Sequence, residues 1–180
     1  SLAACSYGDD KGIFGYGTTS VTNLVSNVGV VATDVTGVGT SRTKPAACAY
    51  GDDKGIFGYG SGYTAVTNLV SNVGVVATDV SGVGTARAQL AACEYGDDKG
   101  IFGYGYDGSV SSLTNLVSNS GVVASDVTGV GTARNDIAAC SYGDDKGIFG
   151  YGAGYTAVTN LVSSVGVVST DVTGVGTARG

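Results

Sequence analysis

"YGDDKGIFGYG" occupies residues 7–17 and returns unchanged at 50–60, 95–105 and 142–152. Side chains alternate faces along an extended chain, so Phe14 and Tyr16 fall on one side while Ile13, Gly15 and Gly17 fall on the other. Such a strand is knobbed on one face and grooved on the opposite one. Identical copies can then stack, with the aromatic rings of one copy entering the glycine groove of its neighbour.

Around this stretch the chain divides into four units, residues 2–44, 45–89, 90–136 and 137–180, with Ser1 left over. They form a single repeat domain. Joining the last residue to the first gives "TAR-GS-LAAC", the same spacing as the internal junctions, so four whole periods are present. The units differ in length only between "GYG" and "TNLVS", where the inserts "TTS", "SGYTA", "YDGSVSS" and "AGYTA" have 3, 5, 7 and 5 residues. Steps of two keep every later side chain on its own face, as a β-hairpin demands and a helix does not.

Each unit reads as four strands, in the first unit residues 3–7, 12–16, 21–26 and 30–34, separated by Gly-, Asn- and Asp-containing turns. The small residues of "AAC" suit an innermost strand, where sheets converge. A four-stranded unit of this length predicts an all-β propeller blade. The wording "R-x-x-LAAC-x-YG-DDKGIFGYG" followed by "VTNLV" resembles a kelch-type blade and tandem repeats of environmental phage and bacterial proteins. The resemblance implies a kelch-like β-propeller of four near-identical blades. The terminal units are as regular as the middle ones, whereas repeat arrays normally carry modified caps. Three arrangements satisfy uncapped ends: a closed four-bladed ring, half of an eight-bladed ring built by two chains, or continuation into a longer array or fibre.

Composition narrows the function. The chain of 180 residues has 32 Gly, no His, Met or Trp, and a net charge of −6 with no basic cluster, which argues against a nucleic-acid partner. No apolar run approaches the ~20 residues of a membrane span, so membrane insertion is not expected. Lacking Met, the sequence is expected to be a processed or trimmed product or an excerpt of something longer. Compartment stays open, with an extracellular or virion surface favoured. Cys5, Cys48, Cys93 and Cys140 each occupy one repeated context and read as a packing position of free thiols, ahead of disulfides or a metal cluster.

Each unit carries an Asp-Asp-Lys triplet, a later Asp and an Arg; only Lys44, Glu94, Asp107 and Asp136 are charged outside this pattern. The pairs Asp9/Asp10, Asp52/Asp53, Asp97/Asp98 and Asp144/Asp145 offer oxygen ligands for a hard cation, but a Lys follows each, so the reading is a solvated turn, with no metal and no cofactor expected. Asp34 and Arg42, with their equivalents Asp79/Arg87, Asp126/Arg134 and Asp171/Arg179, are expected to pin the crossover between units. Asn23, Asn68, Asn115 and Asn160 lie inside a strand and are expected to satisfy loop backbone groups.

Without His, the Ser-His-Asp and Cys-His pairings of nucleophilic catalysis are unavailable, and an enzyme is not expected. A propeller hydrolase or lyase is the least favoured alternative. The residues that break the repeat are in the loops: Tyr63, Tyr106, Asp107 and Tyr155 form a candidate recognition rim for a protein or glycan. The sequence therefore reads as a structural or binding scaffold, with a self-assembling dimer or fibre subunit as the alternative.

Overall fold

The structure, a computed structural model, describes residues 1–180 and contains twelve strands and no helix. The first repeat contributes β1 (Ala3–Tyr7), β2 (Lys11–Gly15) and β3 (Thr22–Val25). The second contributes β4 (Ala46–Tyr50), β5 (Lys54–Gly58) and β6 (Thr67–Val70), and the third β7 (Ala91–Tyr95), β8 (Lys99–Tyr106) and β9 (Val110–Val117). The fourth contributes β10 (Ala138–Tyr142), β11 (Lys146–Gly150) and β12 (Thr159–Val162). Each trio is one antiparallel sheet in sequence order.

The turn between β1 and β2 places Gly8 and Asp9 both at positive φ, 56° and 65°. Glycine takes this conformation freely and Asp tolerates it. Gly8 is further constrained by its neighbour, because a Cβ there would stand 2.7 Å from the Asn72 carbonyl oxygen of the second repeat. Pairing of the second and third strands has the same register in every repeat: Gly15 faces Thr22, Gly58 faces Thr67, Gly103 faces Thr114 and Gly150 faces Thr159. Loops of different length are thus absorbed without turning a side chain over. In the third repeat the longest insert extends β8 and β9 into a long hairpin, with an irregularity between Gly103 and Gly105.

The packing between repeats follows the expected ring-into-glycine arrangement for the phenylalanines only; Tyr16, expected on the face of Phe14, takes a positive φ of 65° that breaks the alternation and packs on the Gly15 side against Phe57. A Cβ on Gly15, Gly58 or Gly103 would lie 2.6–2.8 Å from the Cζ of Phe57, Phe102 or Phe149 in the following repeat. Every apolar core accordingly straddles a boundary. Tyr7, Ile13 and Tyr16 pack with Phe57 and Val70; Cys48, Tyr50 and Ile56 with Phe102 and Val117; Cys93, Tyr95 and Ile101 with Phe149 and Val162. The first strands lie side by side, β1 on β4, β4 on β7 and β7 on β10, and the stack is tightest there.

The kelch-like β-propeller does not hold, and neither does the phage- and bacterial-repeat resemblance that pointed to it. The sheets have three strands, none closes or curls into a blade, and the Phe14 face of the first repeat does not seat on the Gly150 face of the last. Neither a closed four-bladed ring nor half of an eight-bladed one describes this chain. The segment expected as a fourth strand forms no continuous ladder with β3: it has isolated bridges at Val31 and Val35, and the Ala32 amide donates to the Leu24 carbonyl. The Asn side chain explains why. Asn23 Nδ2 donates to the Ala32 carbonyl (3.2 Å), and Asn68, Asn115 and Asn160 do the same to Ala77, Ala124 and Ser169 (3.1 Å each). An amide group inserted into the ladder replaces the backbone partners that a continuous fourth strand requires. The result is an open array of three-stranded sheets, each tied down by a bridged latch.

Candidate functional site

Two groupings repeat along the array. The first is a polar clasp at each boundary. Arg87 is fully buried although it carries a charge. Its Nε donates to the Tyr104 carbonyl (2.7 Å), its Nη1 to the Thr85 carbonyl (3.0 Å) and its Nη2 to Asn115 Oδ1 (2.7 Å). The guanidinium also stands 4.7 Å from the centroid of the Tyr59 ring. Such a buried cation persists only when its donors are occupied and its charge is faced. Asp126 supplies the charge at 3.9 Å. It is in turn held by the Thr85 amide and hydroxyl and by Asn115 Nδ2 (2.9 Å).

The set recurs in full as Arg134 with Asn160 and Asp171, and in part as Arg42 with Asn68 and Asp79, where the buried Arg42 Nε has no partner. The arginine therefore reaches forward to the next repeat's Asn and Asp, rather than pairing with the Asp of its own repeat. Burial lowers the pKa of Arg42 and Arg87 below its ordinary value, and raises Tyr16, Tyr59 and Tyr104 to about 12. Sequence reasoning counted Tyr16 among the packing aromatics but missed the place of these tyrosines beneath the arginines. Each sits at positive φ with its ring 5.1–5.2 Å from that of the next repeat's Phe between centroids, edge-on for Tyr16 and Tyr59 and tilted for Tyr104. The one signal was the Tyr placed between two glycines in every "GYG".

The second grouping is the loop edge. Tyr63 and Tyr106, from adjacent repeats, bring their rings to 6.3 Å between centroids. Tyr155, in the corresponding loop of the fourth repeat, is 78% exposed and is not part of that ring pair. Asp107 is occupied in its own turn, accepting the Ser109 amide and hydroxyl (3.2 Å each). The first repeat has no aromatic in this loop.

The remaining candidates fall elsewhere. Asp10, Asp53, Asp98 and Asp145 each pair with the adjacent Lys, whose hydrogen bond is the main cause holding these carboxyls below their ordinary value. Asp9, Asp52, Asp97 and Asp144 take the left-handed turn position. No three His, Cys, Asp or Glu side chains converge in a way that would hold a metal. The four cysteines are free, and burial drives the thiol pKa of Cys5 and Cys93 up to about 12 and that of Cys48 well above its ordinary value. Glu94 is half-buried beside this row in a shallow groove of about 220 Å³, its carboxyl pushed up by burial. It is the one acidic side chain there, since its equivalents are Ser6, Ala49 and Ser141. No model of a known protein family matches the chain, and no curated protein matches it.

Proposed function

We propose that this chain is a non-enzymatic recognition scaffold that binds a glycan along its loop edge. The observation that carries this reading is that the variation between repeats collects in one set of loops, where Tyr63 and Tyr106 stand ring beside ring and Tyr155 is exposed. Tyrosine presents a large amphipathic face with few rotatable bonds, so little freedom is lost on binding. The stacked sheets hold these loops on a rigid support, the usual division of labour between scaffold and binding loop. Catalysis has less support: the carboxylate–lysine pairs are repeated in every turn, and Glu94 has no second acid or base beside it in its groove.

The test is binding to an immobilised panel of microbial and host glycans, comparing the chain with a Tyr63→Ala/Tyr106→Ala/Tyr155→Ala variant. A bound glycan lost at least ~10-fold in the variant, as removal of an aromatic hot spot produces, supports the reading. Binding that survives all three substitutions, or no binding by the unaltered chain, overturns it.

A further inference from the structure

The two ends of the array are the two halves of the interface that occurs three times inside it. Phe57, Phe102 and Phe149 are fully buried against the preceding repeat, whereas Phe14 is 40% exposed. At the opposite end, a Cβ on Gly150 would meet no aromatic ring, only Thr159 Cγ2 at 3.2 Å. A knob without a groove and a groove without a knob are left at opposite ends of one molecule.

Other contacts of the boundary are divided in the same way. Inside the array, the sulfur atoms of Cys5, Cys48 and Cys93 press on Gly55, Gly100 and Gly147 of the next repeat. Cys140 is exposed, and the equivalent Gly12 meets no sulfur. Gly74, Gly121 and Gly166 seat on a Tyr and a Leu of the preceding repeat, but nothing lies within 4 Å of a Cβ on Gly29. The seat it lacks is present at the far end, where a cavity of about 370 Å³ opens between Tyr142, Leu161 and Val167.

The polar clasp is split too. Asp79, Asp126 and Asp171 accept hydrogen bonds from Thr40, Thr85 and Thr132 of the preceding repeat, while Asp34 has only its own Asn23. Arg179 already lies over the Tyr151 ring, 3.8 Å from its centroid, as its internal equivalents lie over theirs. Its guanidinium makes one hydrogen bond, to the Thr177 carbonyl of its own repeat, with no Asn ahead of it. An anionic half-clasp at one end thus faces a cationic half-clasp at the other.

We propose that a second copy of this chain docks head to tail on the first, Phe14 of one copy entering the Gly150 groove of the other and Arg179 reaching Asn23 and Asp34. The junction continues the internal interface, so it needs no new packing solution. It is heterologous: each bound copy leaves the same two ends free, and growth continues until the geometry closes or the copies run out. This surface is separate from the tyrosine edge, so the assembly stands or falls independently of glycan recognition.

Sedimentation velocity on the full chain from micromolar to near-millimolar concentration is the test, alongside two end-blocked variants. Phe14→Asp removes the knob, and Gly150→Val fills the groove where a Cβ alone would collide with the incoming ring. Overpacking of this kind weakens an interface by about 5- to 150-fold. The unaltered chain is expected to grow beyond a monomer with concentration, and each variant alone to remain monomeric with unchanged circular dichroism. Mixed, the two variants are expected to give a one-to-one dimer and nothing larger, because each retains the end the other has lost. Maleimide labelling of Cys140 gives a readout that requires no variant, its rate falling as the chain associates. A chain that stays monomeric throughout, variants that assemble like the parent, or a mixture that forms no dimer would each overturn the proposal.

Discussion

Gly58→Ala isolates the contact that joins the repeats. Gly58 is not in the left-handed region, so the added methyl strains no backbone and its whole effect comes from space. The new Cβ would lie 2.7 Å from Phe102 Cζ and 3.1 and 3.2 Å from the Cε atoms. The ring cannot retreat, being fully buried with the Tyr59 ring at 5.1 Å. Overpacking a tight core costs about 1–3 kcal/mol. Replacing a strand glycine by alanine returns about 0.5–1 kcal/mol of chain entropy. The net expectation is destabilisation by about 0.5–2 kcal/mol. Gly150→Ala is the internal control, because the same residue in the same register there meets only Thr159. It is expected to be neutral or slightly stabilising to the isolated molecule. Urea unfolding followed by tyrosine fluorescence, at concentrations too low for association, measures both. Equal effects at the two sites, or a Gly58→Ala chain more stable than the parent, would refute the reasoning.

Asn115→Ala removes the acceptor of a buried arginine and a donor to Asp126, and is expected to cost about 2–3 kcal/mol, whereas Asn23→Ala at the free end costs less than about 1 kcal/mol; thermal melts of the two variants check the ranking. Acid is expected to loosen the clasps. The Thr132 hydroxyl and Asn160 amide hold the Asp171 carboxyl below its ordinary 3.8, and at Asp126 burial pushes upward but the bonds from Thr85 and Asn115 outweigh it. A depressed folded-state pKa stabilises fully above the ordinary value and fades as pH falls through the folded one. Melting temperature should therefore hold steady down to about pH 4 and drop below it through this group. A Thr132→Val chain that keeps the full acid dependence would count against Asp171 as one of its sources.

The repeat, its register and its stacking principle were legible in the sequence because they rest on alternation and parity. Phe14 and Gly15 point to opposite faces whatever the rest of the chain does, and inserts that change by two residues preserve the Gly–Thr pairing. The propeller expectation failed because strand propensity alone cannot register competition from a side chain. The valines of residues 30–35 read as a strand, yet the amide of Asn23 occupies a carbonyl that strand would have used. The clasp was seen only in part. Arg42 and Asp34 share a repeat and so suggested a pair, but the partner of Arg42 is Asn68, 26 residues further on. A contact between successive copies of a repeat looks, in one dimension, the same as a contact within one. The tyrosine loops stood out because they break the pattern, but the meeting of Tyr63 and Tyr106 depends on how far one sheet is set from the next.

Each apolar core belongs to a boundary and none to a single repeat. Removing or adding one whole period of about 45 residues would therefore delete or create a boundary while leaving the others chemically unchanged. Copy number is then a dimension along which such a gene can lengthen or shorten by recombination between its own near-identical segments, with fold quality held constant. Point mutation works under a different constraint, since a change in "KGIFGYG" must suit the repeats on both sides. Near-identity of the four copies is what that pairwise dependence would enforce.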